Sequence, residues 1–238
     1  MACILHLETA TPVCSVALSV NGTVVFEQIS YEGASHAALL GVFTEEAVSF
    51  AETESYHLDA VAVSRGPGSY TGLRIGTSMA KGLCMGWEIP LIAIPTLDLM
   101  ASKAIRRCAD KEGLYCAMLD ARRMEVYAAI YDAGLSAVRE TKAEVVTPET
   151  YRAFLEQGRV YFFGNGAAKC RAVIASETAV FPENIHPLAT DMAALAENAF
   201  QKAAFEDVAY FEPFYLKEFM ATTPKNKVLY STQQGLTK

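Results

Sequence analysis

The densest concentration of residues able to do chemistry is Ser64-Arg65-Gly66-Pro67-Gly68-Ser69-Tyr70-Thr71-Gly72-Leu73-Arg74-Ile75-Gly76, set between an apolar run and a helical one. Glycines let backbone amides converge, and a helix N-terminus adds partial positive charge, so a phosphate could sit there. Two nucleotide signatures nevertheless fail. A Walker loop needs Gly-Lys-Ser/Thr where this chain has Gly72-Leu73-Arg74, and in GxGxxG the third glycine would fall one residue before Gly72. The other reading of the loop is a rigid turn that lets a strand and a helix pack closely, with Gly72/Gly76 and Gly82/Gly86 making small helix faces.

Two acids end inner strands, Glu8 and Asp120. Carboxylates so placed could hold Mg²⁺ or act as a base, or they could serve the turns that follow them. Asp120 with Arg122, Arg123 and Glu125 also reads as an ion-pair cluster bracing a hairpin. Gly164-Asn165-Gly166-Ala167 follows an aromatic strand, and Gly164 and Gly166 there would let adenine or phosphate approach the backbone, or simply make a turn. His6, His36, His57 and His186 have no ligand spacing, so no metal is expected. His6 reads as a satisfied residue of an apolar strand. Ser69 lacks the GxSxG elbow, and no triad assembles. Cysteines 3, 14, 84, 108, 116 and 170 contain no CxxC, which excludes a zinc ribbon or disulfide framework and suits a reducing cytoplasm.

The elements that must position these groups follow from periodicity. Cys3 to Leu7, Val13 to Val20 and Thr23 to Ile29 read as a meander turned at Asn21-Gly22. A helix follows from Ser35, its N-cap, to about Ala51, with two apolar faces. Strand Leu58 to Ser64, the glycine loop, a helix over about Thr71 to Gly86, strand Ile89 to Ile94 and a helix from Thr96 come next. Arg106 to Gly113 reads as a link. Beyond it, Tyr115 to Asp120, a tight connection and Glu125 to Tyr131 repeat the layout of the first hairpin, which fits gene duplication or a common strand-acid-turn arrangement. An Ala137 to Val146 strand, a helix begun by Thr147-Pro148-Glu149, a Val160 to Phe163 strand and a helix capped by Thr190 or Asp191 complete the chain. The expected lobes are 1–105 and 106–221, the helix near 190–204 returning to the first, with a loose tail at 222–238.

With 238 residues, 52% of them apolar and 20% charged, the chain is globular and neither disordered nor fibrous. No apolar run reaches the roughly 18 residues of a spanning helix, and no basic flank marks a signal peptide, so no membrane contact and a cytoplasmic location are expected. The net charge of −7 is uneven, because eight acids and no Lys or Arg precede Arg65. Such a surface repels phosphates and attracts a basic protein, or is merely solvated.

In fixed order, Leu7-Glu8-Thr9-Ala10-Thr11, Gly66-Pro67-Gly68-Ser69-Tyr70-Thr71-Gly72-Leu73-Arg74-Ile75-Gly76, Leu119-Asp120-Ala121-Arg122-Arg123-Met124-Glu125-Val126-Tyr127 and Gly164-Asn165-Gly166-Ala167 resemble the TsaB (YeaZ) family, a likeness that runs to Pro213-Phe214-Tyr215-Leu216-Lys217. The residues carrying it include Arg65, Gly66, Pro67, Gly68, Ser69, Thr71, Gly72, Arg74, Gly76, Asp120, Arg122 and Glu125. The resemblance implies a two-lobed α/β fold of the actin/Hsp70/sugar-kinase (ASKHA) type, with mixed sheets flanked by helices. It also implies a non-catalytic scaffold in bacterial synthesis of threonylcarbamoyladenosine at adenosine 37 of tRNAs that read ANN codons. In that family the transfer belongs to the related TsaD subunit and TsaE is an ATPase partner. Members related to TsaD carry an HxxxH pair where this chain has Pro95-Thr96-Leu97-Asp98-Leu99-Met100-Ala101, as an inactive paralogue would. Glu8 departs from the family's usual Ile-Asp-Thr, which weakens a phosphate-metal role there.

The family's interface helix maps to Ser35 through about Ala51, so Leu39, Leu40, Val42, Phe43 and Ala47 are expected to divide between partner contact and core. The chain should hold no cofactor of its own, with ATP or ADP at the complex interface, tRNA reached only through the complex, and a homodimer when alone. The competing expectation is an enzyme, an ASKHA-type phosphotransferase using Asp120 or Glu8, or a metalloprotease.

Overall fold

The computed structural model describes residues 2–33 and 36–217; the expected cap at Ser35 and the 222–238 tail lie outside the described residues. The first lobe contains β1 (Cys3–Glu8), β2 (Cys14–Val20), β3 (Thr23–Ser30), α1 (His36–Thr53), β4 (Ala60–Gly66), α2 (Tyr70–Trp87) and β5 (Leu91–Pro95). Helix α3 (Thr96–Cys108) leads to β6 (Leu114–Asp120), β7 (Glu125–Tyr131), β8 (Ala137–Val145), α4 (Arg152–Leu155), β9 (Val160–Phe163), α5 (Ala167–Cys170) and β10 (Ala179–Val180). A 3-10 turn (Ala189–Met192) and α6 (Ala193–Gln201) follow.

The strands form two five-stranded sheets, ordered β3-β2-β1-β4-β5 and β8-β7-β6-β9-β10. In each, the first three strands pair antiparallel and the last two join parallel. The likeness between the two hairpins therefore extends to whole sheets, and the molecule is a two-lobed α/β architecture of two mixed sheets flanked by helices. Strands β1 and β2 are buried throughout, because helices cover both faces of their sheet. Strand alternation sends Leu5, Leu7, Val61 and Val63 toward Leu40 and Ala47 of α1 and Ala80 of α2, and Ile4, Ala60, Ala62 and Ile92 toward Leu99 of α3 and Ala196 of α6. The last helix thus packs on the first sheet. Helix α3 serves both lobes, since Leu97, Met100, Ala101 and Ala104 pack on Tyr115, Ala117 and Phe163 of the second sheet.

Two expectations change. Neither Thr190 nor Asp191 caps α6, which begins after the 3-10 turn without a side-chain cap. Asp191 instead forms an ion pair with Lys103 Nζ at 2.8 Å and accepts a hydrogen bond from Arg106 Nη2 at 2.9 Å, because α3 brings two cations against it. The helix expected from Thr147-Pro148-Glu149 shrinks to the one turn of α4. There the Thr150 hydroxyl accepts the Thr147 amide at 2.8 Å, a local bond that competes with helix formation. His6 is buried in β1, and its Nε2 lies 2.7 Å from Ser19 Oγ across the ladder.

Candidate functional site

Strand β4 delivers the chain to Gly66 at φ +103°, and Ser69 then caps α2 by accepting the Gly72 amide at 3.2 Å. The first hairpin sits against this turn. Ser69 N donates to Ala10 O at 2.7 Å, and the Thr9 hydroxyl donates to Gly72 O at 2.8 Å. A β-carbon on Gly68 would stand 2.5 Å from Ala10 O, one on Gly72 2.1 Å from Thr9 O, and one on Gly76 2.3 Å from Thr9 Oγ1. The space that could have cradled a phosphate is occupied by Thr9 and Ala10, so these glycines serve close packing. Glu8 is equally committed. It is buried, accepts the Ala10 amide at 2.6 Å and binds the Ser64 hydroxyl. Burial raises its pKa to about 7 despite those bonds, with the charge of Asp191 adding to the rise. Glu8 is a turn brace, each of its two oxygens accepting a hydrogen bond from the chain itself.

The second lobe repeats this with different residues. Strand β9 ends at Gly164, φ +98°, where a β-carbon would meet Met118 O at 2.3 Å, and Gly166 N donates to that same carbonyl at 3.1 Å. Gly66-Pro67-Gly68 and Gly164-Asn165-Gly166 are thus counterparts, each clamping the hairpin of its own lobe. This pairing was readable as a second G-x-G after the second lobe's equivalent strand. Asn165 Oδ1 accepts the Asp120 amide at 2.9 Å, and Asp120 Oδ1 accepts the Arg122 amide at 3.0 Å. The expected ion-pair cluster is corrected here. Asp120 pairs with Lys169 of α5 and Glu125 with Lys217, whereas Arg122 contributes its backbone and neither guanidinium reaches an acid among the described residues. Lys169 and Lys217 were missed, because each comes from a distant part of the chain.

A segment from Glu206 to Lys217 crosses both lobes. Glu206 N donates to Leu91 O at 2.9 Å, Lys81 Nζ donates to Ala209 O and Phe211 O, and Phe211 enters the first core. Phe214 N donates to Arg65 O at 2.6 Å, and the Tyr215 ring lies 5.1 Å from Tyr70. Arg74 is 4.4 Å above the Tyr70 ring and donates to Tyr215 Oη at 3.4 Å, while Arg65 lies 3.7 Å from Glu206. Between the lobes lies a cleft of about 460 Å³ lined by Arg65, Pro67, Asp98, Tyr131, Glu140 and Phe214. Tyr131 donates to Asp98 at 2.6 Å across it, and burial raises the Asp98 carboxyl pKa. A second cavity of about 430 Å³ lies in the second lobe beside Gly164 and Asn165. Among the described residues no three His, Cys, Asp or Glu side chains gather as a metal site, and no helix is long and apolar enough to cross a membrane.

The family model described as TsaD, tRNA N6-adenosine threonylcarbamoyltransferase, matches residues 26–237. The tRNA threonylcarbamoyladenosine biosynthesis protein TsaB of Escherichia coli is 34% identical over 92% of this chain and 96% of its own length. The chain belongs to the TsaB family. The TsaB protein of Bacillus subtilis is 31% identical over 54% of each chain. Among solved structures, YeaZ from Pseudomonas aeruginosa superposes with a TM-score of 0.73 at 25% identity, covering 91% of this chain and all of that one.

This TsaB-family chain divides α1 sharply. Leu40 and Ala47 are buried in the first core, while Leu39 and Phe43 are half-buried and Val42 is 47% exposed. Thr71 and Arg74 lie on the open side of the neighbouring α2, where Met85 is 69% exposed and nothing crowds Gly82 or Gly86. The result is apolar surface on α1 and open space at two small residues on α2.

Proposed function

We propose that this chain is the non-catalytic scaffold of the machinery that installs threonylcarbamoyl on adenosine 37 of ANN-decoding tRNAs, binding and supporting the TsaD subunit. The observation that carries this reading is the open side of α1 and α2, with Val42 exposed and Leu39 and Phe43 half-buried on α1, and exposed Met85 with the uncrowded Gly82 and Gly86 on α2. Small residues allow a partner helix to approach closely, and apolar neighbours supply the gain from burial. The commitment of Glu8 and Asp120 to protein partners supports a structural role for both hairpins. TsaE joins through that assembly, ATP or ADP belongs at its interface, and tRNA is reached only through it. In the absence of TsaD the same face pairs two copies of this chain. The location that suits this work is the cytoplasm.

Val42→Asp tests the reading. It places a charge on an exposed position, so the melting temperature should stay within about 2 °C, while association with TsaD in size-exclusion chromatography should weaken about 100-fold or more. Leu40→Asp, two residues earlier and facing the core, should instead unfold the first lobe. Unchanged elution of the Val42→Asp complex would reject the α1 face as the interface.

A further inference from the structure

The β6–β7 connection places two uncommitted guanidiniums on backbone that does not suit them. Arg122 and Arg123 sit consecutively in the left-handed region, at φ +72° and +51°. The same chain builds its β2–β3 turn in that region from Asn21 and Gly22, at φ +50° and +74°, the residue types that adopt it most readily. Both arginines are exposed. Their backbone is fixed by the Asp120 carboxylate, the Arg122 carbonyl accepting the Glu125 amide at 3.1 Å, and the Ala121 amide donating to Glu125 O at 3.1 Å.

The acids that would neutralise them are already taken, Asp120 by Lys169 and Glu125 by Lys217. A chain of net charge −7 therefore presents a local cationic tip. Neither arginine lines the interlobe cleft or the second-lobe cavity, so the tip is not shaped around an enclosed small anion. Paired guanidiniums on a projecting turn fit an extended polyanion, because each fork can hold a phosphate in two-pronged fashion. Strain retained at such a place is the kind kept for contact rather than for stability.

We propose that Arg122 and Arg123 contact backbone phosphates of tRNA once the TsaD partner has docked. The proposal rests on the function proposed above, since the acidic chain alone offers too few cations to hold RNA. The test is Arg122→Asn/Arg123→Gly, which restores ordinary turn residues, beside Arg122→Lys/Arg123→Lys, which keeps the charge. Each is assembled with TsaD, and binding of an ANN-decoding tRNA transcript is measured against salt concentration.

The Asn-Gly variant should melt about 2–4 °C higher and assemble normally. Its assembled complex should bind the transcript about tenfold more weakly near 0.1 M salt, with a salt slope shallower by about 1–2, as expected for two lost phosphate contacts. The lysine variant should retain most of the slope. Undiminished tRNA binding by an assembled Asn-Gly variant would overturn the proposal. So would a lowered melting temperature, which would make the arginines braces of the loop, or lost assembly, which would assign them to the protein partner. Failure of the unaltered chain to assemble would instead remove the scaffold reading itself.

Discussion

Gly72→Ala should destabilise the chain by about 3 kcal/mol or more, whereas Gly82→Ala, further along the same helix, should stabilise it by about 0.5–1 kcal/mol. The opposite signs come from surroundings, since both positions are helical and both changes add one methyl group. At Gly72 the new carbon would stand 2.1 Å from the carbonyl oxygen of Thr9, a backbone atom held in place by β1. The hairpin must move, and with it go the Thr9 hydroxyl bond to Gly72 and the seat of Ala10 on Ser69. At Gly82 nothing lies within 4 Å, so the methyl group only removes backbone freedom from the unfolded chain. Urea unfolding of both variants measures the difference. Equal and small effects would mean that the first hairpin is not seated on the glycine turn as described. Gly82→Ala carries a second expectation, because the methyl group adds bulk to the α2 surface assigned to TsaD. The variant should be more stable alone and weaker in the complex, and a gain in both would place the partner elsewhere.

The parts of this architecture that were legible in the sequence are those governed by local pattern. Strand β9 was readable to the residue, because Val160 to Phe163 is an apolar run stopped by Gly164. The repeat of the Glu8 and Asp120 hairpins was readable because both lobes keep strand, acid and turn in the same order. That the glycine loop serves close packing was readable from its spacing, but what packs into it was not, since the groups that fill it are remote: Thr9 and Gly72 are 63 positions apart. The same holds for the cations of the second hairpin. Arg122 and Arg123 are the near neighbours of Asp120 and Glu125, yet the fold supplies Lys169 from 49 positions away and Lys217 from 92. A left-handed turn aims the near side chains outward, and no spacing rule announces that. Asp191 failed as a cap for a related reason, because the pull of Lys103 and Arg106 exists only once α3 has packed beside it. The two apolar faces of α1 were visible, but only the sheet beneath decides that Leu40 goes inward and Val42 outward.

Replacing Glu8 by Gln should stabilise the chain at pH 8 by up to about 3 kcal/mol and leave it unchanged near pH 4.5. The folded state raises the Glu8 pKa from 4.5 to about 7, so folding favours the protonated acid. Its stabilising contribution is complete below pH 4.5 and is lost as pH rises through 7. Asp98, raised by burial, works in the same direction. His6 works in the other. Burial lowers its pKa from 6.5 to about 3, so its contribution is complete above pH 6.5 and is lost as pH falls toward 3. Between about pH 4.5 and 6.5 the slopes of Glu8 and His6 oppose each other, and the unaltered chain should show a flat stability maximum there. Glutamine keeps the shape of the protonated acid, accepting the Ala10 amide and donating to the Ser64 hydroxyl, but cannot ionise. The variant should therefore lose the alkaline decline while keeping the acid limb set by His6. Denaturant unfolding at pH 4.5, 6 and 8 resolves the two limbs. An equal loss of stability at all three would show that Glu8 matters for the fit of its hydrogen bonds and that its ionisation carries no cost. A gain absent at pH 4.5, already present at pH 6 and larger at pH 8 would mean that this hairpin folds around a neutral acid, a state suited to bracing Thr9 and Ala10 and unsuited to binding a cation.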